Sequence, residues 1–300
     1  MMEFIPELKV VADGVELGAA VFKALLAIEV SGSFKRAAAL AGVPYATLWN
    51  LVARAERALG VRLVEASRRG GTRLTDRGRE VLRAYMAEAA GRGIILGLTD
   101  FIYAGSHDPV VEEALRGHEA YFVGSMQGFL LVAAGLAHFG GVHLGDNLSF
   151  TAAYGPHLCL VGGFYREIGV AARRPVGRLR DLAEMRLVNR PPGAGTRVRI
   201  DRLLEELGVP PGEAPGYFNV ARTHEEAAAK VAAGEGDYTV TCRYAAEKYG
   251  LHFIKLADEE FDFVCRPEAC RKTVEFVKSL RLGPGYAAKR NMAEIICRGR

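Results

Sequence analysis

Residues 189–204 read N-R-P-P-G-A-G-T-R-V-R-I-D-R-L-L, a Pro/Gly turn between an apolar run at 185–188 and a segment with apolar residues at helical spacing. Glycines 193 and 195 let the backbone turn tightly and approach a ligand closely. The free N–H groups at the start of the following helix favour an anion. Thr196 adds a hydroxyl, and Arg197 adds a planar cationic fork that suits an oxyanion. The stretch reads as an anion cradle with Arg197 as its main cation. No Gly-Lys-Ser/Thr follows the glycines, so it is not a nucleotide P-loop. The same residues also fit a plain glycine turn that caps a helix.

The elements that must position this cradle alternate in kind. From residue 93 onward, short apolar runs alternate with amphipathic stretches, which predicts α/β units on parallel sheets. Strands are expected at 101–104, 121–123, 137–144, 158–161, 185–188, 216–220, 237–241 and 251–256. Several of their ends offer Ser, Thr or Arg where a helix begins: Ser106, Ser125, Thr196 with Arg197, and Thr223. Ligands of open α/β sheets sit beyond the carboxyl ends of strands, so these groups converge on a polar anion site. Each hydroxyl fits equally as an N-cap. His107 and His224 read as structural hydrogen-bonders. Asp108, which would repel a dianion, reads as the cap of its own helix. Residues arranged as a nucleophile–base pair, paired carboxylates or a metal-ligand cluster are not evident, which points away from an enzyme and from a cofactor.

Three hundred residues with 50% apolar content suit two or three domains with proper cores. No apolar run reaches the roughly 20 residues of a membrane span. The first residues carry Glu3 and Glu7 rather than a basic lead into an apolar stretch, so no secretory signal is expected and the protein reads as cytoplasmic. Five cysteines, an odd count without paired spacing, suit free thiols in a reducing compartment. Cys265 and Cys270 have no second pair for zinc. Arginine far outnumbers lysine and there is one glutamine, a composition that suits heat adaptation.

The net charge of +4 is uneven. Between Ser31 and Arg83 stand eleven Lys/Arg against four acids, which points to a polyanionic partner. Residues 15–30 read as an amphipathic helix broken by Ser31-Gly32-Ser33. A second, alanine-rich helix covers 34–40, capped by Ser33. Gly42 makes a tight turn, and Pro44 opens a third helix to about residue 59. This is the helix-turn-helix pattern. A strand at 60–64, a turn at 68–73 and Leu74 add a hairpin wing, and Thr75 caps a last helix through about residue 90. The third helix would present Tyr45, Thr47, Asn50 and Arg54 to base edges and phosphates. Lys35 and the wing arginines Arg68, Arg69 and Arg73 would follow the phosphate backbone. Leu48, Leu51 and Val52 belong to a core. Trp49 reads as core or dimer packing rather than a base contact.

The string G-S-F-K-R-A-A-A-L-A-G-V-P-Y-A-T-L-W-N-L-V, followed by G-G-T-R-L-T-D-R-G, resembles the winged helix of molybdate-responsive (ModE-type) regulators and, more distantly, that of LysR-type regulators. The resemblance implies a homodimer on a pseudo-palindromic DNA operator. Leu82, Tyr85 and Met86, with residues 15–30, would form either its dimer surface or ordinary core. G-S-H-D, V-G-S-M-Q-G-F, G-V-H-L-G-D-N, Y-R-E-I-G-V-A, N-R-P-P-G-A-G-T-R and T-H-E-E-A-A-A-K-V-A-A-G-E-G-D-Y resemble a periplasmic-binding-protein-like domain of the molybdate-binding type. That domain also occurs in molybdopterin-biosynthesis proteins. The resemblance implies a winged helix-turn-helix domain over 1–91 and a bilobed type II α/β domain over 92–300. It implies an oxyanion, molybdate or tungstate, held by Ser106, Ser125, Thr196, Arg197 and Thr223, with Arg166 as a further position. Ile168-Gly169 departs from the family's Gln-Gly, and Asp237-Tyr238-Thr239-Val240 from its Asp-Val-Gly-Leu. The function expected is a transcription regulator that senses this ligand. The alternatives are a molybdenum-cofactor biosynthesis enzyme or carrier, a regulator of a different anion or an organic effector, and a DNA-binding protein whose second domain only oligomerises.

Overall fold

The computed structural model describes residues 7–67, 71–192 and 194–297. Arg68, Arg69 and Gly193 lie outside the described residues. The chain starts with a hairpin, β1 Val10–Ala12 and β2 Val15–Leu17. Asp13 and Gly14 turn it at φ +47° and +71°, the positive-φ pair that Asp-Gly supplies in a tight hairpin. The helix expected over 15–30 therefore begins only at α1 Ala19–Ser31. α2 Phe34–Ala41 and α3 Tyr45–Leu59 follow. Gly42, at φ +69°, ends α2 by donating back to Ala38 and Ala39 carbonyls. The wing, β3 Val64–Ser67 and β4 Gly71–Leu74, starts later than the strand expected at 60–64. Thr75 caps α4 Asp76–Gly91 by accepting from Gly78 N at 2.9 Å.

Phe22 stacks on Tyr85 at 3.7 Å between ring centroids, amid buried Leu25, Leu48, Val52, Leu63, Leu74, Leu82 and Met86. Leu82, Tyr85 and Met86 are thus core within one chain and not a dimer surface. Trp49 is 53% exposed, so the core reading of that ring is corrected too. The apolar stripe of α3 is filled by Leu48, Val52 and Ala55, which leaves Trp49 on the solvent face.

The second domain is built on one nine-stranded sheet. In chain order its elements are β5 Tyr103–Gly105, α5 Pro109–Ala114, β6 Ala120–Phe122, α6 Ser125–Ala133, β7 Phe139–Val142, α7 Asn147–Tyr154 and β8 Cys159–Ala172. Then come β9 Leu187–Val188, α8 Gly195–Glu206, α9 His224–Ala232, β10 Tyr238–Cys242, α10 Arg243–Lys248, β11 His252–Cys265, α11 Cys270–Ser279, β12 Tyr286–Ala288 and β13 Ile295–Cys297. The strand order is β6-β5-β7-β11-β8-β10-β9, with β12 and β13 also on β8. Only β5 with β6 and β7, and β9 with β10, are parallel. The expected short strands at 158–161 and 251–256 are ends of two 14-residue strands, β8 and β11, paired antiparallel from Cys159–Cys265 to Ala172–His252. The apolar run of β8 is interrupted in sequence by Tyr165-Arg166-Glu167, and β11 opens on polar residues, so neither reads as one strand. Residues 216–220 form a single bridge, Val220 to Asn189, instead of a strand.

These two long strands run through both lobes. The first lobe packs Tyr103, Phe139, Phe164, Phe261, Phe263 and Phe276. The second packs Ile168, Val170, Leu187, Ile200, Val231 and Val240. Cys159 and Cys297 form a disulfide, which corrects the reading of five free thiols. Their register across β8 and β13 joins residues 138 apart, a pairing invisible in sequence spacing.

Gly78 lets α4 lie on the wing: a Cβ there would sit 2.1 Å from the Leu63 carbonyl oxygen, whereas at Gly91 it meets nothing within 4 Å. We expect Gly78→Ala to cost about 1–3 kcal/mol by overpacking against backbone, and Gly91→Ala to be neutral or slightly stabilising. Urea denaturation monitored by circular dichroism checks both; equal midpoints would remove the close approach.

Candidate functional site

The two lobes enclose a cavity of about 220 Å³. The first lobe lines it with Ser106 and His107 after β5, residues 122–124 at the end of β6, and His143 after β7. The second adds Arg190 to Pro192 after β9, Ala194 to Thr196 at the start of α8, and Arg222 and His224 at the start of α9. The cavity thus lies at the carboxyl ends of the parallel strands. Its lining contains no carboxylate.

Ser106 Oγ and Ser125 Oγ are 2.7 Å apart, and Ser125 Oγ accepts from His143 N at 3.0 Å. When Ser125 donates to Ser106, the Ser106 proton is left for a ligand. Neither serine is a cap. Gly124 is the N-cap of α6 and Ala194 that of α8, and no side chain caps either helix, so two helix N-termini offer N–H groups and positive dipole ends to the cavity. Thr196 is buried at the first turn of α8. The backbone at Gly195 approaches the other lobe closely: a Cβ would meet His143 Cε1 at 2.4 Å, so any larger residue must displace that ring.

The structure places Arg197 outside the cavity lining. Arg197 donates to Asp201 at 2.9 Å, to the Arg190 carbonyl at 3.1 Å and to the Tyr217 hydroxyl, and lies over the Tyr217 ring. Asp201 one helical turn away holds it outside the cavity lining, where it braces the loop. Arg166 is also committed. It is 1% exposed and donates to Asp108 at 2.8 Å and to Glu259 at 2.6 and 2.9 Å. Thr223 caps α9 by accepting from Glu226 N at 3.0 Å and does not line the cavity. Asp108 caps α5 as expected, accepting from Val110 and Val111 N–H groups.

The arginines that line the cavity are Arg190 and Arg222. Arg190 is 4% exposed, and one NH2 donates to the Arg222 carbonyl at 2.9 Å. Its Nε and NH1 have no hydrogen-bond partner among the described residues. Burial, aided by Arg166, pulls its pKa down to about 10. A buried guanidinium with two unused donors is costly, and an anion in the cavity removes that cost. Arg190 stands second in the N-R-P-P-G-A-G-T-R motif. The signal that could have found it is its place at the end of the apolar run, where β9 delivers it to the cleft.

Two of the imidazoles at the cavity, those of His143 and His224, are held toward the neutral form. Burial pulls His143 down to about 4, with Glu259 opposing, and pulls His224 well below its ordinary value. His224 Nδ1 meets Thr241 Oγ1 at 3.0 Å. His107 Nε2 meets Glu112 at 2.8 Å. Burial alone would raise Glu112, but His107, Arg83 and Arg116 hold it at about 2.

On the first domain, Lys35, Tyr45, Thr47 and Asn50 are exposed on α2 and the first half of α3. Arg54 is tied to the Glu16 carbonyl at 3.1 Å and Arg73 to Glu65 at 2.6 Å.

His143 stays unprotonated when folded down to pH about 4 but takes a proton near 6.5 when unfolded. Its contribution is complete above 6.5 and is lost as pH falls toward 4, about 3 kcal/mol in all. Unfolding free energies measured from pH 7 to 4.5 should decline, less steeply in His143→Gln; parallel curves would show that His143 takes up no protons on unfolding.

Residues 112–280 match the PBP superfamily domain, and residues 20–79 match the bacterial regulatory helix-turn-helix protein of the lysR family. A stretch of 133 residues is 30% identical to the uncharacterized protein YvgK of Bacillus subtilis (strain 168), covering 42% of this chain and 42% of that protein. The probable transcriptional regulator PA0477 from Pseudomonas aeruginosa superposes with a TM-score of 0.44 at 17% identity, over 88% of this chain and 97% of that one. Full-length LysG from Corynebacterium glutamicum with bound effector Arg gives 0.43 at 16%, over 87% and 97%. No helix among the described residues is long and apolar enough to cross a membrane. The chain belongs to the PBP superfamily, and it carries that domain behind a lysR-type helix-turn-helix, in the architecture of a LysR-type transcription regulator.

Proposed function

We propose that the protein is a ligand-responsive regulator that binds operator DNA through α3 as a homodimer and senses an oxyanion of the molybdate or tungstate class between its lobes. The observation that supports the ligand most is Arg190, whose Nε and NH1 are buried without partners among the described residues, in a cavity whose described lining holds no carboxylate. The Ser106–Ser125 hydroxyl pair, Thr196 and the uncapped starts of α6 and α8 supply neutral donors beside Arg190, and Arg222 is a second arginine of the lining. An enzyme or carrier role gains no comparable support: no carboxylate stands among the described residues of the lining to pair with its imidazoles. Closure of the lobes would alter how the DNA-binding domains are presented, and only to the extent that the ligand prefers one arrangement.

A second reading follows from the volume. About 220 Å³ is several times the roughly 30 Å³ share of one water, and Phe122, Pro191 and Pro192 add apolar lining. A small organic acid would use the same arginine.

Calorimetric titration of the anion-free protein with molybdate, tungstate, sulfate and phosphate, and then with small carboxylic acids, separates the two. Saturable binding of molybdate or tungstate alone supports the first reading, and binding of a carboxylate alone the second. Arg190→Gln is expected to weaken binding about 100-fold, the scale of removing one member of a buried charge pair. Arg197→Ala should lose much less. A reversed order of the two effects would return the site to Arg197.

For the DNA face, Lys35→Ala should weaken binding uniformly across sequences and reduce the salt slope by about one. Asn50→Ala should relax sequence preference at one base pair by about 1–3 kcal/mol. Fluorescence anisotropy with operator and scrambled duplexes at graded salt reads both; a salt slope unmoved by Lys35→Ala would displace α2 from the interface.

A further inference from the structure

Four of the five cysteines meet at one end of the first lobe, apart from the cleft. Cys159 opens β8, Cys265 ends β11 directly opposite it in register, and Cys297 ends β13 on the other side of β8. Cys270 is the first residue of α11. Its Sγ lies within 4.8 Å of both sulfurs of the Cys159–Cys297 disulfide. It is also 3.2 Å from Cys265 Sγ. Cys159, Cys265 and Cys270 are buried, while Cys297 is exposed. The ligand-binding reading makes no use of this cluster.

We propose that these residues form a thiol–disulfide exchange centre, in which the disulfide moves between Cys159–Cys297 and Cys265–Cys270. Cys270 is the attacking group. It is the first residue of a ten-residue helix, where a thiolate is favoured, and a hydrogen bond from Cys265 lowers its pKa further while that same contact, joined by burial, raises the pKa of Cys265. The Cys270 thiolate bonds to one sulfur of the Cys159–Cys297 pair, and the other leaves as a thiolate. Cys265 then attacks Cys270 Sγ, forming Cys265–Cys270 and expelling the second thiolate. The protons lost by Cys265 and Cys270 end on Cys159 and Cys297. Two thiols and one disulfide remain throughout, so no outside oxidant enters. The consequence is local: β13 is released from its covalent tie to β8, and only the backbone pairing of Ile295 to Cys297 then holds it.

The full-length protein, purified without reductant, is incubated in buffers of reduced and oxidised glutathione at graded ratios. It is then quenched with acid, alkylated and mapped by peptide mass spectrometry. Wild type should contain both Cys159–Cys297 and Cys265–Cys270 peptides in a ratio that does not change with protein concentration. Cys270→Ser should lose the Cys265–Cys270 species, and Cys265→Ser should accumulate a Cys270 mixed disulfide with Cys159 or Cys297. Finding Cys159–Cys297 alone in all three proteins would overturn the proposal. So would protection of all four thiols in the reduced protein by one equivalent of zinc with no exchanged disulfide, which would make the cluster a tetrathiolate metal site. Should Cys270→Ser fail to fold, the Cys265→Ser map decides alone.

Discussion

Arg166 is the fixed point around which the ligand-binding domain is arranged. It stands in the middle of β8, the strand that runs through both lobes, and joins Asp108 at the start of α5 to Glu259 on β11. Three charges are buried together, with Tyr286 donating to Asp108 at 2.9 Å and the Phe261 ring beneath the guanidinium. Burial alone would lower the arginine pKa, but Glu259 and Asp108 outweigh it and keep the group charged. Breaking such a set by removing one member leaves an uncompensated buried charge, typically 3–5 kcal/mol. The carboxylates that could have neutralised the cleft are thereby committed to Arg166. Arg190 lies within its field and has no carboxylate within ion-pair distance among the described residues. The unmatched charge on which the proposed anion site rests is thus a by-product of how the two lobes are tied.

The same neighbourhood reaches the DNA-binding domain. His107 lines the cavity and pairs with Glu112, and Glu112 receives Arg83 from α4. His107, Phe122 and Arg222 also line a larger space of about 780 Å³ whose other wall is α4, with Arg77, Glu80 and Val81. Side chains displaced by a ligand in the cleft therefore face the helix that carries the wing. Such contiguity is a route for coupling and not a measure of it, since coupling depends on two arrangements that the ligand binds unequally.

Sequence periodicity made the helices of the first domain legible because α2, α3 and α4 each have glycine, proline or threonine at their ends. The hairpin before α1 carried an equally local signal, Asp13-Gly14 between valines, but the apolar residues of 15–30 absorb it into a helical pattern. β8 and β11 were hidden for a different reason. Their middles cross from one lobe to the other and carry Tyr165-Arg166-Glu167 and Asp258-Glu259-Glu260, charged residues that a short-window reading takes as loop. Their length is a property of the pairing between the two strands, which neither segment contains alone.

The choice between Arg190 and Arg197 shows where such reading stops and why. Both flank the same Pro/Gly turn, and both carry the fork that an oxyanion needs. What separates them is the partner set. Arg197 has Asp201 four residues on, a spacing that places an opposite charge on its own helix face, and Tyr217 closes over it from a distant segment. The first of these was present in the sequence and argued against a free cation. The second required the fold, as did the commitment of Glu259 to Arg166 ninety-three residues away. A binding charge is recognised by the absence of a neutralising neighbour, and absence is a statement about three dimensions. The cleft motif could be read from spacing, but which of its two arginines lines the cavity follows only from the fold.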